Sequence, residues 1–218
     1  MNIKDIKTKI KNIWNAPEQV VSMRFPRNKE ENSNPYKKCW VSLLTIELSD
    51  FDSFCEKNKD NEILICKVLK SFHEGLFEIF QNAGIENVSY HGDKVYAYAK
   101  ADGQNSKESK KLFTCAMDIN GFLKYFWKAM EYKISICLAE ELVLNVDSKY
   151  KLSFAGYLIK KAKKMHANSK IKNQILLDKL FVINNKEVLK KSETENFYTE
   201  SLGGELYSTY CCTDWKDE

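Results

Sequence analysis

The sequence predicts a mixed α+β domain with a mostly antiparallel sheet and helices packed on one face. Two observations support this. Short β-rich apolar runs alternate with longer runs whose apolar residues recur at three- and four-residue spacing. The resulting order is strand, helix, helix, hairpin, helix, strand, helix, strand and a C-terminal β segment. Helices gathered on one face of an antiparallel sheet accommodate this order, which fits the ferredoxin-like plan.

The first predicted strand, Trp40–Leu48, is almost wholly apolar, which is typical of a buried central strand. The next two form a hairpin whose tip carries Gly92 and Asp93. The strands predicted after the first are Asn87–Tyr90, Val95–Ala99, Lys133–Leu144, Ile175–Leu177, Phe197–Thr199 and Glu205–Tyr210.

Asp50, directly after the first strand, has the character of a helix N-cap and predicts a helix there. Four further helices are predicted from apolar residues at helical spacing. They cover Met1–Trp14, Asn61–Asn82, Lys107–Lys128 and Phe154–Ala167. Gly84 follows the second of these as a C-cap glycine would.

The length of 218 residues favours one domain, at 36–218, preceded by an N-terminal arm at 1–35. The arm combines a basic amphipathic helix with a polar loop over Arg27–Pro35. The helix has two interpretations: it packs on the domain or at a dimer contact, or it lies on a membrane surface.

Composition excludes several classes of function. The net charge of +4, with Lys and Glu interspersed, gives no support for a nucleic-acid partner. No apolar run reaches the ~20 residues that a transmembrane helix needs. The seven cysteines form no CxxC pair, and the three histidines are not at zinc spacing from them. We therefore expect reduced thiols and a cytoplasmic protein.

Two carboxylates stand where a fold can bring them together. Glu47 ends the first strand, and Asp93 lies at the hairpin tip. Paired carboxylates repel unless a cation lies between them, and oxygen ligands favour Mg²⁺. The alternative is that Glu47 is a strand-end acid and Asp93 a turn former, and the residues alone leave both interpretations open.

Three segments resemble the motifs of class III adenylate and guanylate cyclases, in the same order. Val41–Phe54 is similar to the apolar strand that ends in a metal-binding acid and is followed four residues later by Phe. Tyr90–Val95 is similar to the Gly-Asp hairpin that supplies the second metal ligand. Phe154–Met165 is similar to a later helix that carries Asn and Arg. The resemblance covers Lys38–Val182.

The resemblance implies a set of site residues. Glu47 and Asp93, with the Leu48 carbonyl, would hold one or two Mg²⁺ or Mn²⁺ ions. Lys160 and Lys164 stand where the family has Asn and Arg, and would come from the partner chain of a homodimer with its sites at the interface. A solvated basic face is the alternative for these lysines.

Other positions depart from the family pattern. Ser89 and Ser153 stand at the base-reading positions, where purine cyclases have Lys-Asp or Glu-Cys pairs. Phe51 is available to narrow the base pocket. Hydroxyl groups both donate and accept hydrogen bonds, so the serine pair suits a pyrimidine ring. We expect His73 and His166 to be surface residues of their helices.

The function that this resemblance implies is cyclisation of a pyrimidine nucleoside triphosphate, with UTP slightly favoured over CTP. The chain most resembles the stand-alone pyrimidine cyclases of bacterial Pycsar antiphage systems. That would make the product a second messenger read by a separate cyclic-nucleotide effector. Three alternatives remain: a catalytically silent cyclase-like binding domain, a purine cyclase, and a polymerase-like palm that makes oligonucleotides.

Overall fold

The computed structural model describes residues 3–15, 37–101, 104–128, 130–144, 153–154, 156–168, 172–191, 196–202 and 205–211. Its helices are α1 (Ile3–Asn15), α2 (Phe51–Lys57), α3 (Glu62–Ala83), α4 (Lys107–Phe126), α5 (Tyr157–Asn168), α6 (Lys179–Asn184) and α7 (Lys186–Lys191). Its strands are β1 (Lys37–Leu48), β2 (Val88–His91), β3 (Lys94–Lys100), β4 (Tyr132–Leu144), β5 (Ser153–Phe154), β6 (Ile175–Asp178), β7 (Asn196–Leu202) and β8 (Glu205–Cys211). The predicted loop at 27–35 lies outside the described residues.

The strands form one sheet in the order β2-β3-β1-β4-β6-β8-β7, with β5 paired to β4. The described pairs are antiparallel except β4 with β6, which run parallel. This confirms the predicted α+β class and mostly antiparallel sheet. β1 lies between β3 and β4 and pairs with both along most of its length, as its continuous apolar sequence predicts.

The two faces of β1 are covered by different helices. Leu44 and Ile46 point into the larger core with α3 and α4, as the prediction of helices on one face requires. Val41 and Leu43 point to the other face, where they meet α5 in a second apolar cluster. The prediction of a single helical face was therefore incomplete, because β1 and its neighbours are apolar on both sides.

Two local predictions can be checked at helix ends. Asn61 caps α3, accepting a hydrogen bond from the Leu64 N–H at 3.0 Å, and Gly84 ends the helix with φ of 68°. The predicted start of α5 at Phe154 was wrong. Phe154 lies in β5, where its backbone pairs with Val143 of β4. Gly156, with φ of 92°, separates β5 from the helix.

α1 packs against the domain. Ile6 and Ile10 are buried in the larger core, and Lys67 of α3 donates a hydrogen bond to the Trp14 carbonyl at 3.2 Å. The packing interpretation of this amphipathic helix is therefore the one that the structure shows. No helix in the described ranges has the length and apolar character needed to cross a bilayer.

Polar contacts fix α5 to the sheet. The buried carboxylate of Glu141 on β4 accepts hydrogen bonds from the backbone N–H groups of Tyr157 and Leu158, at 3.3 and 2.8 Å. One turn further on, the Lys161 ammonium lies 2.8 Å from Asp178 on β6, and Asp178 also accepts from the Leu138 N–H. A carboxylate at a helix N-terminus is favoured by the helix dipole. These contacts set the position of the helix over β4 and β6.

Replacing Lys161 should destabilise the protein strongly. Asp178 is 2% exposed, so Lys161→Ala leaves a buried carboxylate without its counter-ion. We expect a loss of about 3–5 kcal/mol in the free energy of unfolding, measured by urea denaturation. The exposed neighbour Lys163 is the matched control. Equal urea midpoints for Lys161→Ala and Lys163→Ala would contradict the prediction.

Candidate active site

The end of β1 meets the tip of the β2–β3 hairpin. Glu47 is directly opposite Lys94 in the antiparallel register, and the Leu48 N–H donates a hydrogen bond to the Asp93 carbonyl at 3.1 Å. The predicted pair, Glu47 and Asp93, is therefore brought to one end of the sheet. A register shift of one residue would turn the Glu47 side chain to the other face.

The turn that carries Asp93 is tight and braced from outside. Gly92 has φ of 59°, which suits the first central position of a two-residue hairpin turn. His73 on α3 contacts this turn, with Nε2 2.7 Å from the Gly92 carbonyl and its ring edge-on to Tyr90. A carbonyl oxygen only accepts, so Nε2 carries the proton and donates. His73 thereby holds the backbone next to Asp93.

Glu47 is engaged at both carboxylate oxygens. Oε2 lies 2.9 Å from Nδ1 of His166, and Oε1 lies 3.3 Å from the Nζ of Lys94. The hydrogen bond from His166, followed by the charges of His166 and Lys94, lowers the pKa of the Glu47 carboxyl to about 2 from its ordinary 4.5. Glu47 is therefore a stable anion across the physiological range.

Asp93 has the opposite electrostatic character. Burial raises the pKa of its carboxyl above the ordinary value, Lys94 opposes that shift, and the negative charges of Glu47 and Asp52 add to it. A carboxyl whose ionisation is disfavoured by burial and by neighbouring acids is stabilised by an added cation. The Nζ of Lys94 lies 3.3 Å from Oε1 of Glu47, and its charge also interacts with that of Asp93.

The two carboxylates suit a divalent ion whose remaining coordination positions are filled by a substrate and water. The described residues contain no group of three or more His, Cys, Asp or Glu side chains arranged to hold a metal. Mg²⁺, however, is commonly held by one or two carboxylates together with substrate phosphates and water. Glu47 and Asp93 supply two carboxylates at this end of the sheet, and their role as metal ligands stays a prediction. The role of the Leu48 carbonyl stays a prediction.

The remaining predicted residues make no described polar contact with this pair. Lys160 and Lys164 are exposed on α5, and neither is a described polar partner of Glu47 or Asp93. Ser89 is half-buried in β2, opposite Tyr96. The backbone of Ser153 pairs with Leu144 in β5. Their roles toward a substrate stay predictions.

Phe51 belongs to the core in this structure. Its side chain is 7% exposed, and its ring stacks on Phe54 with centroids 6.1 Å apart. These contacts explain the apolar residue at the start of α2 without a ligand. The predicted substrate contact of Phe51 has no described counterpart and stays a prediction.

Two histidines that the sequence analysis placed on the surface belong to the site. His166 is 3% exposed and reaches Glu47, and His73 supports the Gly92 turn. The surface prediction was wrong for His166 because the helix end that carries it lies against the sheet. Its spacing carried a signal, since His166 continues the stripe of Leu158 and Ala162 that faces the sheet.

Comparisons with known proteins show the fold. The guanylyl cyclase Cya2 matches with a TM-score of 0.63 at 16% identity, over 80% of this chain and 91% of that one. A monomeric E497/C566D double mutant of the guanylyl cyclase domain of the RhoGC fusion protein from Blastocladiella emersonii matches with a TM-score of 0.63 at 14% identity, over 82% of this chain and 98% of that one. The adenylyl cyclase CyaB from P. aeruginosa matches with 0.59 at 11%, over 84% and 98%. No family model and no curated protein matches the sequence. The chain therefore has the fold of nucleotidyl cyclase domains.

The contribution of Glu47 to stability should disappear in acid. Its folded-state pKa of about 2 lies below the ordinary 4.5, so the contribution is fully present above pH 4.5 and is lost as the pH falls through 2. We expect the difference in unfolding free energy between the wild type and Glu47→Gln to shrink between pH 5 and pH 2. Urea denaturation at each pH measures it, with exposed Glu56→Gln as the control. A constant difference over this range would contradict the assigned contacts.

Proposed function

We propose that this protein is a nucleotidyl cyclase that converts a pyrimidine nucleoside triphosphate, UTP slightly before CTP, to its 3′,5′-cyclic monophosphate and pyrophosphate. The observation that carries the proposal is the meeting of Glu47 and Asp93 at one end of the sheet, in a chain with the cyclase fold. Residues 36–218 form the catalytic domain in this proposal, and residues 1–35 are the arm.

The reaction joins the ribose 3′-oxygen to the α-phosphorus and breaks the bond to pyrophosphate. Glu47 and Asp93 would hold Mg²⁺ or Mn²⁺, which would supply positive charge to the triphosphate as negative charge develops on the leaving pyrophosphate. Lys160 and Lys164 are exposed cations without a described bond to either acid, which suits donation to a triphosphate bound against a second copy. A C₂ homodimer would hold two such sites.

The base preference rests on a short hydroxyl side chain at the half-buried position Ser89 and on the same residue type at Ser153. Serine can donate to or accept from the edge of a pyrimidine ring. A purine triphosphate is the competing substrate, because the solved structures of similar fold are guanylyl and adenylyl cyclases. The antiphage role, the cytoplasmic location and the separate effector follow from the Pycsar resemblance and belong to the proposal.

A catalytically silent cyclase-like domain is the second candidate. Both oxygens of Glu47 already have partners, His166 and Lys94. Lys164 also stands at the position where the cyclase motif has an arginine. Lys cannot reproduce the bidentate contact of Arg with a phosphate. Such a domain would bind a nucleotide or a partner protein without turnover.

Incubation with each of the four ribonucleoside triphosphates and Mn²⁺ separates these functions. We expect a cyclic pyrimidine nucleotide from the wild type, none from Asp93→Ala or Glu47→Ala, and reduced turnover from Glu47→Asp. Chromatography of the product distinguishes a cyclic mononucleotide from an oligonucleotide. Turnover of ATP or GTP at least tenfold faster, about 1.4 kcal/mol in transition-state stabilisation, would reject the pyrimidine preference. Full activity of Asp93→Ala would reject the site.

Mixing two inactive variants tests the shared site. Each proposed site takes Asp93 from one subunit and Lys164 from the other. A dimer of one Asp93→Ala and one Lys164→Ala subunit therefore has one intact site and one site with both changes. After subunit exchange, a 1:1 mixture should recover about a quarter of wild-type activity, since half the dimers are mixed and each has one working site. Mass spectrometry verifies the exchange, and exchange without any recovery would contradict an interfacial site.

A further inference from the structure

We propose that His166 is the positioning residue for Glu47, fixing one carboxylate oxygen so that the other faces the cation. The inference rests on the proposed function, because it takes Glu47 as a cation ligand. It adds a residue that the cyclase motifs in the sequence do not include. The geometry that carries it is the 2.9 Å contact between His166 Nδ1 and Glu47 Oε2.

The direction of this hydrogen bond follows from the charges. Ionised Glu47 has only acceptor oxygens, so Nδ1 of His166 must carry the proton that is shared. Lys133 also reaches the His166 backbone carbonyl with its Nζ, which holds the end of α5 beside Glu47. The imidazole is thus oriented through both its ring and its backbone.

The two oxygens of Glu47 have unequal surroundings. Oε2 faces His166, whose side chain is 4% exposed and cannot leave without moving α5. Oε1 faces Lys94, whose side chain is 34% exposed, on a flexible stem. An exposed lysine gives way to a divalent ion easily, whereas a buried histidine does not. Oε1 is therefore the oxygen that can exchange Lys94 for a cation.

His166 has no other use for its ring within the described residues. Nε2 is buried there without a hydrogen-bond partner, so Glu47 is the one polar contact of the imidazole in that part of the chain. A histidine kept for packing alone would not need a carboxylate at hydrogen-bond distance. Histidines and carboxylates that orient metal ligands typically change metal affinity tenfold to a hundredfold when removed.

The pairing also explains why glutamate can occupy this position. The additional methylene of Glu, compared with Asp, gives the carboxylate more ways to point. A hydrogen bond from a buried imidazole removes that freedom at one oxygen. Glu47 and His166 therefore form a unit in which the histidine compensates for the longer side chain.

The test is a double-variant cycle with Mn²⁺ alone as the probe. Binding is measured without nucleotide by the electron paramagnetic resonance signal of free Mn²⁺, in wild type, His166→Leu, Glu47→Gln and the double variant. We expect His166→Leu to weaken binding about tenfold to a hundredfold and to have no further effect in the Glu47→Gln background. His166→Asn, whose amide can donate to Glu47, should recover most of the affinity.

Met165→Leu is the matched control for the packing of α5, because Met165 is buried against Cys137 and has no described polar contact with Glu47. Thermal unfolding verifies that each variant is folded. Wild-type affinity in folded His166→Leu, or an equal loss in the Glu47→Gln background, would overturn the inference. Wild type that fails to bind millimolar Mn²⁺ would overturn it as well.

If His166→Leu does not fold, nuclear magnetic resonance of the wild type and Glu47→Gln tests the inference instead. The chain has three histidines, so the imidazole ¹⁵N signals can be assigned individually. Substoichiometric Mn²⁺ should broaden the His166 signals in the wild type and leave them sharp in Glu47→Gln. Broadening that is the same in both would reject the inference. Mn²⁺ binding that depends on His166, in a protein that makes no cyclic nucleotide, would uphold the inference and reject the proposed function.

Discussion

The pairing of β1 with β3 is the constraint on which the candidate site depends. Its register places Glu47 opposite Lys94 and brings Leu48 into hydrogen-bond contact with the backbone of Asp93. β4 holds β1 from the other side over the same residues, so the strand cannot slip without breaking two ladders. Each ladder buries apolar side chains on both faces of the sheet. The two acids are thus placed by the most constrained strand in the fold.

α5 depends on that sheet for its own position, and the contacts that fix it are charged. Glu141 holds its first turn, Lys161 and Asp178 hold its middle, and Glu47 and His166 hold its end. Buried charge pairs contribute little net stability compared with apolar packing, yet they are costly to break, so they specify one arrangement. The same helix turns Lys160 and Lys164 outward to solvent. The outer face of α5 therefore leaves both ammonium groups open to a triphosphate, as the proposed shared site would need.

Most of the fold was predictable because its signals are local. The cap residues of α3, the glycine of the hairpin turn and the alternation of β3 residues between the two apolar clusters are all set by neighbours in the chain. The positions of Glu47 at a strand end and Asp93 at a hairpin tip were predictable from periodicity, whereas their metal-binding role was implied by the cyclase resemblance and stays a prediction. The contact of His166 with Glu47 joins residues 119 positions apart, and no local pattern encodes which helix end meets which strand. The coverage of both sheet faces was missed for the same reason, because it depends on where α5 crosses the sheet.

Buried polar atoms without a hydrogen-bond partner lower the stability of this fold at particular positions. In the described part of the chain, several buried polar atoms without a partner lie around the candidate site. They are the hydroxyl oxygens of Thr45, Ser49, Tyr90 and Ser135 and the Nε2 atom of His166. Thr45 is opposite Ser135 in the register and shares a face with Glu47, so the hydroxyl groups of Thr45 and Ser135 belong to the surface that α5 covers. Each unsatisfied group costs about 1–3 kcal/mol unless water pairs with it. An apolar residue at any of these positions would pack more cheaply. The unpaired hydroxyl groups of Thr45 and Ser135, on the same face of the sheet as Glu47, support the proposed binding site, because polar groups kept at a cost in stability are common where a protein binds a ligand.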